Sequence, residues 1–493
     1  MSTQSYGVGS AESPARCIFS PSSGTRAGYD ILDWVEGAPT NRPINGVVDL
    51  HLSEVLSGLS HALDMTEGQV PGHAERSCLI GMRIAAALDL DDDTRSSLFY
   101  ALLLKDAGCS SNAAKVAALF GVDDAIVKSS RRLTDTASTS QALLHVLRTA
   151  GAGGSVLTRG RHTGAVLRSG RAGARSLIEL RCERGAAVVR AIGLGEVAAQ
   201  AIMDVDEHWD GGGYPAGISG DEISPAGRVL CLAQTAEVFW QHGGAAAACE
   251  IARKRRQTWF DPMLVDALLG LEHDARFWQS LETATVTEVE PPEHVLVADG
   301  ARLDLVAHAF ASIVDAKSPY TATHSEGVAA IADALAALLD LDIGTRATLR
   351  RGALLHDVGK LGVSNRILDK PGRLNPSEWE TVRRHPQWSM EILARIRAFE
   401  DIARIAGAHH ERLDGSGYHR GLMAAELDQP SRILAVADVA EALSADRPYR
   451  SALGADEVLE IMRRAAGHAL DRDAFAALEQ VLPGLVVEEP IRR

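Results

Sequence analysis

Apolar residues recur at helical spacing along much of this chain. In one such segment Leu434 lies one turn before Asp438, and Ala442 lies one turn after it. Residues spaced by three or four positions share one face of an α-helix. Alanine and leucine follow this period through most of the sequence. We therefore predict an all-α fold.

Two of these apolar faces carry a polar residue. His324 begins a stripe that continues through Val328 and Ile331, and Asp438 lies within the apolar face described above. Alone, His324 is more typical of a core histidine. An isolated carboxylate on an apolar face costs several kcal/mol or takes up a proton, and a bound cation removes that penalty. Asp438 therefore indicates a cation site.

More histidines lie at predicted helix ends. The seven candidate metal ligands are His324, His356, Asp357, His385, His409, His410 and Asp438. Imidazoles and carboxylates are the ligands that Fe, Mn or Zn would use, so we predict metal-assisted hydrolysis. The alternative is a metal-free helical core, in which each buried imidazole would need its own hydrogen-bond partner.

Four motifs in the C-terminal half occur in a family-specific order. They are His356-Asp357-Val358-Gly359-Lys360, His409-His410-Glu411, Asp414-Gly415-Ser416-Gly417-Tyr418 and Arg447-Pro448-Tyr449-Arg450. From about Arg302 to Leu482 the chain thus resembles an HD-GYP domain of the HD phosphohydrolase superfamily. The resemblance implies an all-helical fold that hydrolyses cyclic di-GMP to linear pGpG or GMP. It also implies two divalent ions, most often iron or manganese.

The resemblance also implies roles for individual residues. One ion would be held by His324, His356, Asp357 and Asp438, and the other by Asp357, His385, His409 and His410. Asp357 and Lys360 would serve in-line attack of water on phosphorus. Substrate contacts would come from Lys360, Arg447 and Arg450, and the motif loop from Asp414, Gly415, Gly417 and Tyr418. A surface lysine and a solvated helix end are the open alternatives for Lys360 and the arginines.

Two positions depart from the family pattern. His419 replaces a proline in the motif loop, which bears on regulation more than on catalysis. Tyr320 stands where some members have an acidic residue that helps to hold a third metal. We therefore predict two metals.

The N-terminal half repeats this pattern without most of its ligands. The interval from His73 to Asp106 equals that from His324 to Asp357. The positions of His356, His385, His409, His410 and Asp438 are taken by Lys105, Arg181, Val205, Asp206 and Gln234. Two surviving ligands are too few for a metal pair, and the Lys105 ammonium would substitute for a cation beside Asp106. We predict a pseudo-enzyme with a regulatory, ligand-sensing or dimerising role.

These observations divide the chain into two domains. We predict a disordered segment at 1–46, a degenerate HD-GYP-like domain at 47–282, a linker at 283–300 and a catalytic domain at 301–487. An insertion at about 134–180, rich in glycine and arginine, reads as a mobile surface loop. Nucleic-acid contact there is less favoured, because no aromatic residues lie between the arginines.

Composition limits the partners. The formal net charge of −15 argues against general polyanion binding, so we expect no nucleic-acid polymer as partner. No apolar run is long enough to cross a bilayer and no signal pattern is present, so we expect a cytoplasmic protein without membrane contact. Six cysteines without CxxC spacing are expected to be reduced.

The leading hypothesis is a cyclic di-GMP phosphodiesterase, with a homodimer or a diguanylate cyclase or other signalling protein as partner. The first alternative is an HD phosphohydrolase for another cyclic dinucleotide, such as cyclic GMP-AMP, or for a nucleotide. The second is a non-catalytic sensor or scaffold that binds a cyclic dinucleotide. Nothing in the sequence identifies the base.

Overall fold

The computed structural model describes residues 50–135, 138–319, 321, 323–446 and 450–485 of the chain. These residues form α-helices and short 3-10 turns, and their only β pairing is isolated bridges. The all-α prediction is confirmed. The segment predicted to be disordered, 1–46, lies outside the described residues, as do Tyr320 and Arg447.

The first half of the chain, which we call the first module, contains eleven of the described α-helices. They are α1 Leu52–Glu67, α2 His73–Ala85, α3 Asp92–Leu104, α4 Ala113–Phe120, α5 Asp124–Arg132, α6 Thr139–Thr149, α7 Val156–Ala191, α8 Gly195–Met203, α9 Pro225–Lys254, α10 Pro262–Leu269 and α11 Ala275–Ser280.

The second half, which we call the second module, contains ten. They are α12 Gly300–Asp315, α13 His324–Leu338, α14 Ile343–Leu355, α15 Asn365–Leu368, α16 Pro376–Arg383, α17 His385–Leu393, α18 Glu400–Ala406, α19 Gln429–Ser444, α20 Ala455–Arg463 and α21 Arg472–Leu485.

The order of elements in the two modules is similar. The helices α2 and α13 begin at the matched histidines His73 and His324, while α3 and α14 end one residue before Lys105 and His356. The 3-10 turns Gly220–Glu222 and Ala424–Glu426 then precede α9 and α19. This order supports the predicted duplication, which stays a prediction.

Side-chain caps fix where several helices near the predicted ligands begin. Asp342 accepts hydrogen bonds from two backbone amides at the start of α14, and Asp428 accepts one from Ser431 N at 3.0 Å at the start of α19. Asn375 and Glu378 form a capping box at the start of α16. These caps satisfy amides that have no partner within the helix, and so define the helix boundaries.

The prediction of a mobile surface loop at about 134–180 is wrong. That stretch contains α6 and the first half of α7, and helical geometry is interrupted at Gly170, whose φ is 53°. Arginine is a good helix former, so a composition of glycine and arginine does not by itself exclude a helix. Many side chains of this stretch are nevertheless exposed.

The predicted linker packs against the first module. The buried carboxylate of Glu290 accepts hydrogen bonds from Ser53 Oγ at 2.8 Å and from the Tyr100 hydroxyl at 2.9 Å. Leu52 N donates to Leu296 O at 2.7 Å. The segment therefore has fixed contacts and follows the surface of α1 and α3.

Buried apolar residues of both modules form one continuous cluster. Helix α1 lies against the 3-10 turn Val358–Gly362, and a Cβ built on Gly362 would lie 2.2 Å from Met65 Cε. The first module thus contacts the turn that directly follows Asp357. No helix in the described part of the chain is long and apolar enough to span a membrane. The described cysteines are buried and unpaired: Cys78, Cys109, Cys182, Cys231 and Cys249.

Candidate metal centre

The structure brings the seven predicted ligands together from five helices. They lie at the start of α13 and of α17, at the end of α14, in the turn after α18 and within α19. His410 is partly exposed. The other six are buried: His324, His356, Asp357, His385, His409 and Asp438. Each lies on or next to a helix, as the apolar spacing predicts.

A first group of donors surrounds the Asp357 Oδ2 atom. His324 Nε2 lies 3.4 Å from Asp357 Oδ2 and 3.4 Å from Asp438 Oδ1. His356 Nε2 lies 3.3 Å from Asp357 Oδ2 and 3.9 Å from Asp438 Oδ1. One donor atom each from His324, His356 and Asp438 falls within 4.8 Å of the others. This spacing fits a single cation between them.

A second group lies on the other side of the same carboxylate. His385 Nε2 is 3.2 Å and His409 Nε2 is 3.7 Å from Asp357 Oδ1, and these two nitrogens are 3.1 Å apart. One donor each from His385, His409 and His410 falls within 4.8 Å of the others. Asp357 therefore presents one oxygen to each group, which is the arrangement of a bridging carboxylate.

Backbone carbonyls orient three of the imidazoles. His356, His385 and His409 each place Nδ1 2.6 Å from the carbonyl oxygen three residues earlier. A carbonyl oxygen only accepts hydrogen bonds, so Nδ1 carries a proton, and in the neutral ring Nε2 keeps its lone pair. Histidine ligands of metals are commonly held in this way. The three lone pairs point into the centre.

Two buried polar atoms test whether a cation fits. His356 Nε2 and Asp357 Oδ1 make no hydrogen bond with any described residue. Burial raises the pKa of Asp357, but His356 and Lys360 outweigh it and hold that pKa well below its usual range. Burial and the neighbouring His410 lower the pKa of His409. A neutral His409 imidazole beside the anionic Asp357 carboxylate is the donor state that divalent metals need, so the residues fit.

The carboxylates of the centre also favour positive charge on His324. Burial lowers its pKa, yet the carboxylates of Asp357 and Asp438 outweigh burial and raise the pKa well above the usual value. A proton on His324 thus balances the carboxylates when no cation does so. A metal ion would replace that proton.

Glu441 contributes to the centre although the motifs did not single it out. Its carboxylate contacts His324 Nδ1, on the side of the ring opposite the centre. Glu441 lies three residues after Asp438 on α19, so both project from one face of the helix. The three-residue spacing from Asp438 is the feature of the sequence that could have identified Glu441. Glu237 contacts His73 Nδ1 in the same way in the first module.

The predicted basic residues have different environments. Lys360 Nζ pairs with Asp357 Oδ2, and its side chain is 22% exposed at the edge of the centre. Arg450 donates to Ala442 O at 2.8 Å and to Leu443 O at 2.9 Å, so in this structure it caps the end of α19. Arg447 lies outside the described residues.

The motif loop folds beside the second group of donors. Asp414 Oδ1 accepts a hydrogen bond from Ser416 N at 3.0 Å, and the φ of 72° at Gly415 favours glycine. A Cβ on Gly417 would lie 2.5 Å from the Arg412 amide nitrogen. The Tyr418 ring packs on His410 with centroids 4.8 Å apart. The loop thus covers His410, one of the predicted metal ligands.

The buried Glu411 carboxylate anchors this loop. It accepts hydrogen bonds from Arg420 N at 2.7 Å and Leu422 N at 2.9 Å. The motif His409-His410-Glu411 includes this residue, but its role depends on Arg420 and Leu422, which reach Glu411 only because the loop folds back. It is therefore a positioning residue for the loop.

Comparison with known proteins identifies the family. A family model described as HD domain matches residues 171–264 and 308–474, which is more than half of the chain. The chain is 43% identical over 435 residues to the 3'3'-cGAMP-specific phosphodiesterase 3 of Vibrio cholerae, covering 87% of this chain and 94% of that protein. The chain belongs to the HD-domain family. Its motifs place it among the HD-GYP phosphodiesterases.

Two further similarities agree with this family. A crystal structure of the cyclic GMP-AMP-specific phosphodiesterase V-cGAP3 of V. cholerae matches with a TM-score of 0.60 and 39% identity, covering 90% of this chain and 99% of that one. A cyclic di-GMP phosphodiesterase of Pseudomonas aeruginosa is 35% identical, covering 43% of this chain and 50% of that protein. The family's fold and its divalent-metal chemistry fit the donors described above.

The first module of this HD-GYP phosphodiesterase has basic side chains at its centre. Lys105 Nζ pairs with Asp106 Oδ2, as the sequence predicts. Arg132 Nη2 lies 2.8 Å from Asp106 Oδ1 and 2.7 Å from Glu67 Oε2, and Arg181 Nη2 lies 2.6 Å from an oxygen of Asp206. Glu67 and Asp106 come together with Cys109, but Arg132 already pairs with both carboxylates.

Proposed function

We propose that this chain is a divalent-metal phosphodiesterase that hydrolyses a 3'3'-linked cyclic dinucleotide. The observation that carries the proposal is the meeting of seven metal donors in a chain that is 43% identical, over most of its length, to a 3'3'-cGAMP-specific enzyme. That similarity makes 3'3'-cGAMP the first candidate substrate. Cyclic di-GMP is the second, supported by more distant relatives that act on it.

Two divalent ions, iron or manganese first, would complete the centre. His324, His356, Asp357 and Asp438 would hold one, and Asp357, His385, His409 and His410 the other, as the resemblance implies. Such ions lower the pKa of bound water and neutralise charge on the phosphoryl oxygens.

The chain's own residues prepare this chemistry. Asp357 lies between the two donor groups, and its depressed pKa keeps it anionic. Carbonyl-bound imidazoles hold their lone pairs inward without needing to reorganise when substrate binds. Lys360 pairs with Asp357 at the partly exposed edge of the centre, where its ammonium would contact a phosphate oxygen of the substrate. Burial of most other donors keeps bulk water away from the reacting phosphodiester.

We propose that the first module is a pseudo-enzyme. Lys105, Arg132 and Arg181 provide the positive charge that ions would provide in the second module. Its contact with the turn that follows Asp357 supports a role in holding the catalytic module in shape. These ion pairs balance the buried carboxylates without a metal, so the fold of this module should not depend on metal binding.

The test is an assay of anaerobically purified protein loaded with Fe or Mn. 3'3'-cGAMP and cyclic di-GMP are supplied at equal concentration, and the linear products are separated by chromatography. We expect cleavage, with Asp357→Asn inactive and the matched Asp106→Asn of the first module active. Undiminished turnover in Asp357→Asn would contradict the proposal. Tight binding without cleavage at full metal loading would favour the sensor hypothesis instead.

A further inference from the structure

A row of aromatic rings leads from the metal centre to the protein surface. The Tyr418 ring lies 4.8 Å from the ring of the ligand His410, with an angle of 39° between their planes. The Trp379 ring follows, 6.1 Å from Tyr418. Trp379 is 46% exposed and is the only exposed tryptophan among the described residues. The row therefore ends in an indole face open to solvent.

A guanidinium that has no ion-pair partner among the described residues lies beside this row. Arg383 follows Trp379 by four residues on α16, so the two side chains share one face of the helix. The guanidinium carbon of Arg383 lies 5.1 Å from the centre of the Tyr418 ring. Within the described part of the chain, this guanidinium makes no hydrogen bond or ion pair. It is therefore available to an anion from outside the protein.

Other tryptophans of the chain have contacts of a different kind. Trp388, on the next helix, lies against Gly362 in the contact with the first module, and Arg384 lies over its ring at 5.1 Å. Trp278 is buried and its indole N–H donates to Leu271 O at 2.8 Å. Trp379 has neither kind of structural role in the described residues.

The matched helix of the first module provides an internal comparison. The interval from Asp106 to Arg132 equals that from Asp357 to Arg383, and Lys128 precedes Arg132 as Trp379 precedes Arg383. In the first module both side chains form internal ion pairs: Arg132 with Glu67 and Asp106, and Lys128 with Asp124 at 3.0 Å. Among the described residues, Trp379 and Arg383 of the second module make no such ion pairs.

We propose that Trp379, Arg383 and Tyr418 form a nucleotide subsite at the edge of the metal centre. A purine base stacks on the exposed indole of Trp379, and the Arg383 guanidinium binds the phosphate that is not cleaved. The aromatic face accepts either purine, while the cation requires a phosphate next to the base. This proposal rests on the proposed function and specifies how its substrate is held.

Stacking of one base on an aromatic side chain predicts a clear effect on binding. Alanine substitution at such platforms typically weakens binding roughly ten- to hundredfold. Trp379 does not touch the predicted metal ligands. Its loss should therefore raise KM for a cyclic dinucleotide and leave kcat within about twofold. Trp379→Phe keeps a ring face and should recover part of the loss. Arg383→Ala should raise KM and also weaken its dependence on salt.

The experiment compares these variants with Arg384→Ala, a neighbouring exposed arginine that faces Trp388. Kinetics are measured with 3'3'-cGAMP, and with bis(p-nitrophenyl) phosphate, a diester without a purine, to show that the metal centre is intact. Binding is measured separately by titrating metal-free protein with GMP and following tryptophan fluorescence. Wild type should be quenched more strongly than Trp379→Phe.

The outcomes separate the two proposals. If wild type cleaves the cyclic dinucleotide and Trp379→Ala has an unchanged KM, the subsite is overturned and the proposed function stands. If wild type cleaves no cyclic dinucleotide, the proposed function fails and the titration decides the subsite. In that case, equal quenching of tryptophan fluorescence by GMP in wild type and Trp379→Phe would overturn the subsite. Loss of this quenching in Trp379→Phe would support the subsite.

Discussion

Gly359 is the position where one added methyl group should damage the metal centre most directly. A Cβ at this residue would lie 2.2 Å from His385 O, 2.7 Å from Ser389 N and 2.9 Å from Trp388 Cβ. These contacts are largely with the backbone of α17, which cannot rotate away as a side chain can. Gly359→Ala therefore forces α17 to move away from the turn after Asp357.

The size of the effect follows from these distances. An ordinary contact begins at 3.4 Å, so α17 must retreat by about 1 Å, and the hydrogen bond from Gly359 N to Ser389 Oγ at 2.9 Å is stretched. Overpacking of this kind costs about 1–3 kcal/mol of the free energy of unfolding. Metal–ligand distances tolerate only about 0.2 Å. A misplacement of about 1 Å at His385 should lower kcat/KM about a hundredfold.

Gly108 provides the matched control, because it occupies the same place in the first module. A Cβ there would lie 1.8 Å from Arg181 O and 2.7 Å from Gly185 N. Gly108→Ala should lose a similar amount of stability in urea denaturation while keeping its metal content. Elemental analysis and kcat/KM are measured on folded protein. A Gly359→Ala variant with full metal content and turnover would refute the reasoning, as would equal metal loss in Gly108→Ala.

Three further predictions test the surroundings of the two centres. Glu441→Gln should lower metal affinity about 10- to 100-fold because His324 loses its orienting carboxylate, whereas Glu237→Gln should leave metal titrations unchanged. Burial raises the pKa of Glu67, but Arg132 outweighs burial and lowers that pKa to about 2. The ionised Glu67 therefore stabilises the fold above its unfolded pKa near 4.5, and this stabilisation is lost as the pH falls toward 2. Arg132→Met should move acid unfolding, followed in urea melts, to higher pH, and an unchanged midpoint would show that the pair contributes little. Chelation should lower the melting temperature, because an ion that binds only the folded state adds about 3 kcal/mol at a hundredfold excess over Kd; a melting curve unaffected by chelation would argue against bound metal.

The helices and the ligand positions followed from local patterns. Apolar spacing around Asp438 predicted α19, because this signal acts within a few residues. The spacing of Glu441 after Asp438 was equally local and identifies a further residue of the centre.

Other features depend on residues that are distant in sequence. Arg132 reaches Asp106 and Glu67 only when α5 packs beside α1, and no local pattern shows this. The burial of Glu290 requires Ser53 and Tyr100 from far earlier in the chain. The helices of the insertion were missed because its composition was weighed above the helix propensity of its arginines.

The metal content of anaerobically purified protein tests the central claim most directly. Elemental analysis on wild type and on Asp357→Asn, each coupled to the cyclic dinucleotide cleavage assay, measures occupancy and turnover on the same sample. Our account predicts about two ions per wild-type chain, and loss of both metal and activity in the variant. Full activity in a preparation that retains no divalent ion, or unchanged metal content in Asp357→Asn, would contradict it.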